Sequence, residues 1–305
     1  MKNTIITAMA IMLATQISAR ADQLNVVTDI APVHSLVAQV MDGVETPSVI
    51  LEPGASPHHA NLRPSKAAAI QSADIVFYIG DALTPWLSAP LAKLNTEIVK
   101  VSFLNQSVTT QLANRDFAIF EEEHHEHDDG HDHGVIDPHV WLSPKNAQQW
   151  LMVIGDTLSV HDPENASIYS QNVSRAIEGL EKMHTDFSQK IASRKDTKFL
   201  AYHDAFQYLE HDFNLTVVGA ISSSDASRPS AKRMIALQKH ITEQGIDCIL
   251  SEPQFSEKLI QSVSGGNKIA IAEIDPLGTK HTLGPNLYTA MFADFANEIA
   301  KCGVE

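Results

Sequence analysis

Asp74-Ile75-Val76-Phe77-Tyr78-Ile79 is a short run of β-branched and aromatic residues, of the kind found in a buried strand of a parallel sheet. Val26-Val27 and Ser48-Val49-Ile50 precede it and Glu97-Ile98-Val99-Lys100-Val101 follows it, with helical patterns between them. Strands alternating with helices in this way mark βαβ units. After residue 195 the pattern restarts with Lys198-Phe199-Leu200-Ala201, Leu215-Thr216-Val217-Val218, Asp247-Cys248-Ile249-Leu250 and Lys268-Ile269-Ala270-Ile271. The sequence therefore predicts an α/β protein of two lobes with mainly parallel sheets flanked by helices: an N-terminal lobe over 22–161 and a C-terminal lobe over 195–305. No sequence repeat relates the two.

Residues 162–194 read as a single long connecting helix, opened by Asp162 as N-cap and Pro163 at the first helical position. Val173, Ile177, Leu180, His184, Phe187 and Ile191 step by three or four and form its inward stripe. An unbroken helix restricts lobe opening to small rocking motions, whereas a hinge wants a short Gly- or Pro-containing crossover.

The first 21 residues fall outside the fold. Lys2, an apolar stretch from Ile5 to Ile17 and Ala19-Arg20-Ala21 make up a secretory signal peptide with its small-residue cleavage site. The stretch is too short, and too interrupted by Thr and Gln, to anchor in a bilayer. With no Cys near the cleavage point to take a lipid, the expected product is free in solution, neither lipidated nor membrane-inserted, and placed in a bacterial periplasm. Composition narrows the partners further: 22 Lys+Arg stand against 37 Asp+Glu, a formal charge of −15, which repels nucleic acid. In an oxidising compartment Cys248 and Cys302, the only two cysteines, read as one structural disulfide; a metal-thiolate pair would favour CxxC spacing.

Ligands of parallel α/β sheets bind outside the carboxyl ends of the strands. His58 follows the strand ending near Leu51, His139 lies in a turn entering a helix, His203 directly follows the strand at 199–202, and Asp275 closes the strand at 269–274. Two candidates fall in each lobe, so all four can meet in a cleft. A lone His at a strand end is usually a hydrogen-bonded cap, but three imidazoles and a carboxylate together suit tetrahedral Zn²⁺, whereas Mg²⁺, Ca²⁺ and Mn²⁺ prefer oxygen. Glu252 reads as a hydrogen-bonding partner of a loop, with a general base or spare ligand as the alternative. Ser264-Gly265-Gly266-Asn267 reads as a helix-ending turn rather than a phosphate cradle. His34, His161, His184, His211, His240 and His281 read as surface or packing residues. Residues 121–133 hold five His (His124, His125, His127, His131, His133) and seven carboxylates in thirteen positions, which predicts a solvated loop able to take further metal. No His-Glu-x-x-His, Gly-x-Ser-x-Gly or Gly-x-x-x-x-Gly-Lys signature is present.

Gly54-Ala55-Ser56-Pro57-His58 with Leu62-Arg63-Pro64-Ser65, Asp137-Pro138-His139-Val140-Trp141-Leu142-Ser143-Pro144, His203-Asp204-Ala205, Ser251-Glu252-Pro253-Gln254-Phe255 and Asp275-Pro276-Leu277-Gly278 carry a resemblance. The chain resembles the periplasmic zinc-binding proteins of ABC importers, the ZnuA type within the metal-binding solute-receptor family. The resemblance implies two α/β lobes, a long helix and zinc in the cleft. It matches His58, His139 and His203 to the family's three histidine ligands and Asp275 to an acidic position that coordinates in some members. In the manganese and iron branches the third position is usually a carboxylate, so His203 favours zinc. Two departures stand out: His59-Ala60 replaces an acid followed by Tyr and leaves open which of His58 and His59 coordinates, and Arg228-Pro229-Ser230 replaces Glu-Pro-Ser. The implied partners are a membrane permease and periplasmic zinc-donating proteins, with the receptor a monomer and not an enzyme. A zinc hydrolase and a secreted adhesin or metal buffer are the alternatives from other classes.

Overall fold

The computed structural model describes residues 23–115, 136–222 and 229–303. The expected signal peptide 1–21, the His- and acid-rich residues 121–133 and Arg228 therefore lie outside the described residues.

The N-terminal lobe is built on β1 (Val26–Thr28), β2 (Ser48–Val49), β3 (Ile75–Tyr78) and β4 (Val99–Ser102), with helices α1 (Ala31–Val40), α2 (Pro64–Gln71) and α3 (Pro85–Ala92) in the crossovers. All pairings are parallel and the order is β2-β1-β3-β4. The C-terminal lobe repeats the plan with β5 (Lys198–Ala201), β6 (Thr216–Ala220), β7 (Cys248–Ser251) and β8 (Ala270–Glu273), in the order β6-β5-β7-β8. Its crossovers are α6 (Gln207–Phe213), α7 (Ala231–Gln244) and α8 (Glu257–Ser264). Both lobes thus place their first strand between the second and third, a duplication of topology that no repeat in the sequence announces.

Between the sheets run α4 (Pro144–His161), α5 (Ala166–Lys190) and, from the C-terminus, α9 (Leu287–Ile299). Ser143 caps α4, its hydroxyl accepting from Asn146 N at 3.1 Å, and Pro144 takes the first helical position. The expected helix over 162–194 is shorter at both ends: Pro163–Asn165 and Ala192–Arg194 are 3-10 turns. Asp162 uses its carboxylate to accept from Asn165 Nδ2 (2.8 Å) and Tyr169 OH (2.6 Å) rather than from helix-end amides, so the α-helix starts later. The inward stripe is also rotated. Tyr169, Asn172, Ala176, Leu180, Met183 and Phe187 are the buried positions, with Val173 and Ile177 at the margin. Polar Asn172 belongs in the stripe because its amide donates to Val40 O (2.9 Å) and Asp42 O (2.8 Å), satisfying the open carbonyls that end α1.

One continuous hydrophobic cluster runs from Val26 and Phe77 through Trp150 and Leu180 to Phe199, Leu250 and Phe292. The lobes are joined by this shared core as well as by α5, which makes wide opening costly. Ser264 does end α8, and Gly265 (φ 59) and Gly266 (φ 86) carry the left-handed turn into β8.

Asp29 ties the N-terminal sheet together at the end of β1. It is fully buried, and its two oxygens accept from Ile30 N and Ile79 N, both at 2.8 Å. Burial pushes its carboxyl up from 3.8 to about 7, against the pull of those backbone donors. A carboxyl raised on folding contributes stability that is full below the unfolded value and lost as pH rises through the folded one. Between pH 4 and 7 this one group is therefore expected to remove on the order of 4 kcal/mol. Urea unfolding across that range should show a steeper loss in wild-type apoprotein than in Asp29→Asn; parallel pH profiles would refute this.

Candidate metal centre

A cavity of about 700 Å³ lies at the carboxyl ends of the strands and is lined from both lobes. His58 reaches it from the loop after β2, where Ser56 Oγ accepts from His58 N at 3.1 Å and Trp86 Nε1 pins Pro57 O at 2.7 Å. His139 immediately precedes a 3-10 turn, Val140–Leu142, that leads to Ser143 and α4. His203 follows β5, and Glu252 follows β7. The fold thus delivers each imidazole on a short, anchored connection, which limits the entropy lost when a ligand is bound.

The three histidines converge. Each offers a nitrogen, and these atoms all lie within 4.8 Å of one another. Ring centroids are 5.3 Å apart for His58–His139 and for His139–His203, and 6.4 Å for His58–His203. A tetrahedral zinc shell with bonds of ~2.0–2.1 Å sets its donors about 3.4 Å apart, so only a small contraction closes the triad on an ion.

Carboxylates behind two of the rings fix their tautomers. His139 Nδ1 stands 2.7 Å from Asp137 Oδ1 and His203 Nδ1 stands 2.5 Å from Glu252 Oε1, with Asp137 only 2% and Glu252 1% exposed. A proton held on Nδ1 turns the Nε2 lone pair outward, the arrangement that metal-binding histidines require. His139 Nε2 is buried and without a hydrogen-bond partner, a donor that a metal ion would satisfy. Burial alone would lift the Asp137 carboxyl, but the charge and hydrogen bonds of His139, aided by the Gln207 amide, hold it below its ordinary value. No Lys or Arg lines the cavity among the described residues, whereas Glu252 and Asp275 do, a lining suited to a dication.

Other expected residues fall differently. Asp275 lines the same cavity but is absent from the three-histidine group. Its oxygens accept from Leu277 N (3.1 Å) and from Thr279 N and Oγ1 (both 2.6 Å), so it holds the turn after β8. Glu252 does receive the expected loop contact, from Gln254 Nε2 at 2.8 Å, but the reading missed its contact with His203. His59 is exposed, its ring 6.3 Å from that of His58. His34 and His240 bond to backbone carbonyls, His184 stacks on Phe213, His211 contacts Asp212 and His281 pairs with Asp294. Asp137 was also missed, although an acid two residues before a candidate ligand signals such support.

The sequence profile described as zinc-uptake complex component A, periplasmic (ZnuA), matches residues 26–302. The chain belongs to this family. High-affinity zinc uptake system protein ZnuA of Paracoccus denitrificans is 34% identical, and that of Brucella abortus 32%, each alignment covering 93% of both chains. Among solved structures, a ZnuA crystal structure superposes with a TM-score of 0.76 at 21% identity, covering 93% of this chain and all of that one. The FpvC solute-binding protein of Pseudomonas aeruginosa, in complex with Mn²⁺, superposes with a TM-score of 0.78 at 17% identity, covering 92% of this chain and 98% of its own. The fold of this chain is thus the one seen in both structures.

Proposed function

We propose that this chain captures Zn²⁺ in the periplasm through His58, His139 and His203 and hands it to the membrane permease of an ABC importer. The observation that carries the reading is the convergence of three imidazoles, two of them held by buried carboxylates. Nitrogen donors favour zinc over manganese, calcium and magnesium. In this reading water takes the fourth position, because Asp275 would have to release Thr279 to reach the ion. The protein is a receptor and does no chemistry on its cargo. Among the described residues no helix is long and apolar enough to cross a membrane. Titration of the mature protein with zinc against a competing chelator, with Mn²⁺ as comparator, tests the assignment. Tight zinc and weak manganese are expected, and comparable affinities would overturn it.

Residues 121–133 serve in this reading as a second, weaker zinc collector. A flexible chelating segment loses conformational entropy for each ion it orders, so its sites bind in the micromolar range, below the preformed cleft. Deleting 124–133 is expected to remove the weak sites from a calorimetric titration and to leave the tight one. Loss of the tight site would mean that the segment supplies a primary ligand.

A further inference from the structure

We propose that Gln207 is a positioning residue for zinc, through which the C-terminal lobe sets the orientation of a ligand carried by the N-terminal lobe. The inference rests on His139 and His203 holding the ion. Gln207 opens α6, four residues past His203. Its Nε2 donates to Asp137 Oδ2 at 3.0 Å and to Ala113 O at 3.1 Å. The other oxygen of Asp137 accepts from His139 N (2.9 Å) and lies against His139 Nδ1 (2.7 Å). Tyr208 adds a grip on the main chain: its hydroxyl donates to Asp137 O and accepts from Leu112 N, both at 2.9 Å. Alongside, Arg115 makes paired contacts to Asp204 (2.7 and 2.9 Å) and also pairs with Glu210. The stretch 203–210 therefore supplies one histidine and holds the carboxylate that orients another.

The geometry has a consequence for release. A carboxylate on the far ring nitrogen fixes a ligating histidine and raises its basicity, and such partners are typically worth ~10–100-fold in metal affinity. Asp137 is 2% exposed, so little water can replace a lost donor. Moving α6 away from the N-terminal lobe withdraws the Gln207 amide, frees Asp137 to rotate with the His139 ring, and carries His203 off in the same motion. Two ligands weaken together, although the shared core forbids a wide opening.

Gln207→Met keeps the length of the side chain and removes the donor. In the zinc-loaded full chain, zinc loss to an excess of chelator is expected to accelerate roughly 10-fold. The visible bands of the cobalt(II)-substituted protein should shift, a change at the metal that lower apoprotein stability alone would not produce. Tyr208→Phe should accelerate loss by a smaller factor and serves if Gln207→Met does not fold. In an Asp137→Asn background the Gln207 substitution should add little, whereas a merely structural role would give additive effects. Unchanged dissociation and unchanged cobalt bands in both variants, or additivity with Asp137→Asn, would overturn the proposal. A wild-type chain with no tight zinc would instead overturn the ligand assignment beneath it.

Discussion

Replacing His139 or His203 by Ala should lower zinc affinity by two to three orders of magnitude. Zinc held by a complete protein ligand set has an apparent binding free energy of ~10–16 kcal/mol, so one donor of the set carries ~3–4 kcal/mol, or about 10²–10³ in Kd. The truncation does more than remove a donor. It leaves Asp137 or Glu252 as a buried carboxylate without its imidazole partner, which is destabilising in itself. His203→Asn separates the two effects: its amide can still donate towards Glu252 but has no lone pair at the Nε2 position. Affinity should therefore fall almost as far as in His203→Ala, with less loss of apoprotein stability. For each protein zinc binding should weaken on acidification, because a proton competes with the metal for the same imidazole nitrogen. Chelator-competition titrations at several pH values measure both quantities. Unchanged affinity in either alanine variant would remove that residue from the site.

The parts of the site that the sequence disclosed are those tied to strand ends. His58, His203 and Glu252 each come after a short apolar run, and a parallel sheet brings the residues after its strands to one edge. His139 was legible because Asp-Pro-His-Val-Trp-Leu-Ser-Pro carries a helix start beside it. Interactions that cross between the lobes left no local trace. Nothing in the sequence couples Gln207 to Asp137, or Trp141 Nε1 to Pro276 O (2.7 Å), since each pair is brought together only by docking the two sheets. The same limit explains α5. Periodicity showed a helix with an apolar stripe, but the centre of the buried face is set by α4 on one side and by α1 and α9 on the other. It therefore includes Asn172, which a hydrophobicity pattern discounts. Asp275 is a strand-end acid of another kind: it lines the cavity, and its oxygens also accept from the turn it begins, a local contact that its position at the strand end does not announce.

Loss of the disulfide should have the largest effect on stability. Cys248 opens β7 and Cys302 lies just past α9; the two are bonded, with Cα atoms 5.5 Å apart and a sequence separation of 54. Closing a loop of that length restricts the unfolded chain by roughly 4 kcal/mol in the chain-entropy model. Both elements also serve the site. The strand β7 leads into Glu252, which supports His203. The helix α9 carries Tyr288, whose hydroxyl donates to Trp141 O (2.7 Å) and whose backbone N donates to Ser35 Oγ (3.0 Å), so it fastens the N-terminal lobe. Non-reduced, unfolded protein should give no reactive thiols. Cys248→Ser/Cys302→Ser should unfold at markedly lower urea concentration, with the slope altered by its less restricted denatured state. Zinc raises stability by mass action, RT ln(1 + [Zn²⁺]/Kd), so an excess of the ion should restore much of the loss. A variant as stable as wild type would show that α9 is held by its packing alone. If zinc fails to raise the stability of a variant that still binds it tightly, then binding does not distinguish its folded from its unfolded state, and the site is not coupled to the fold.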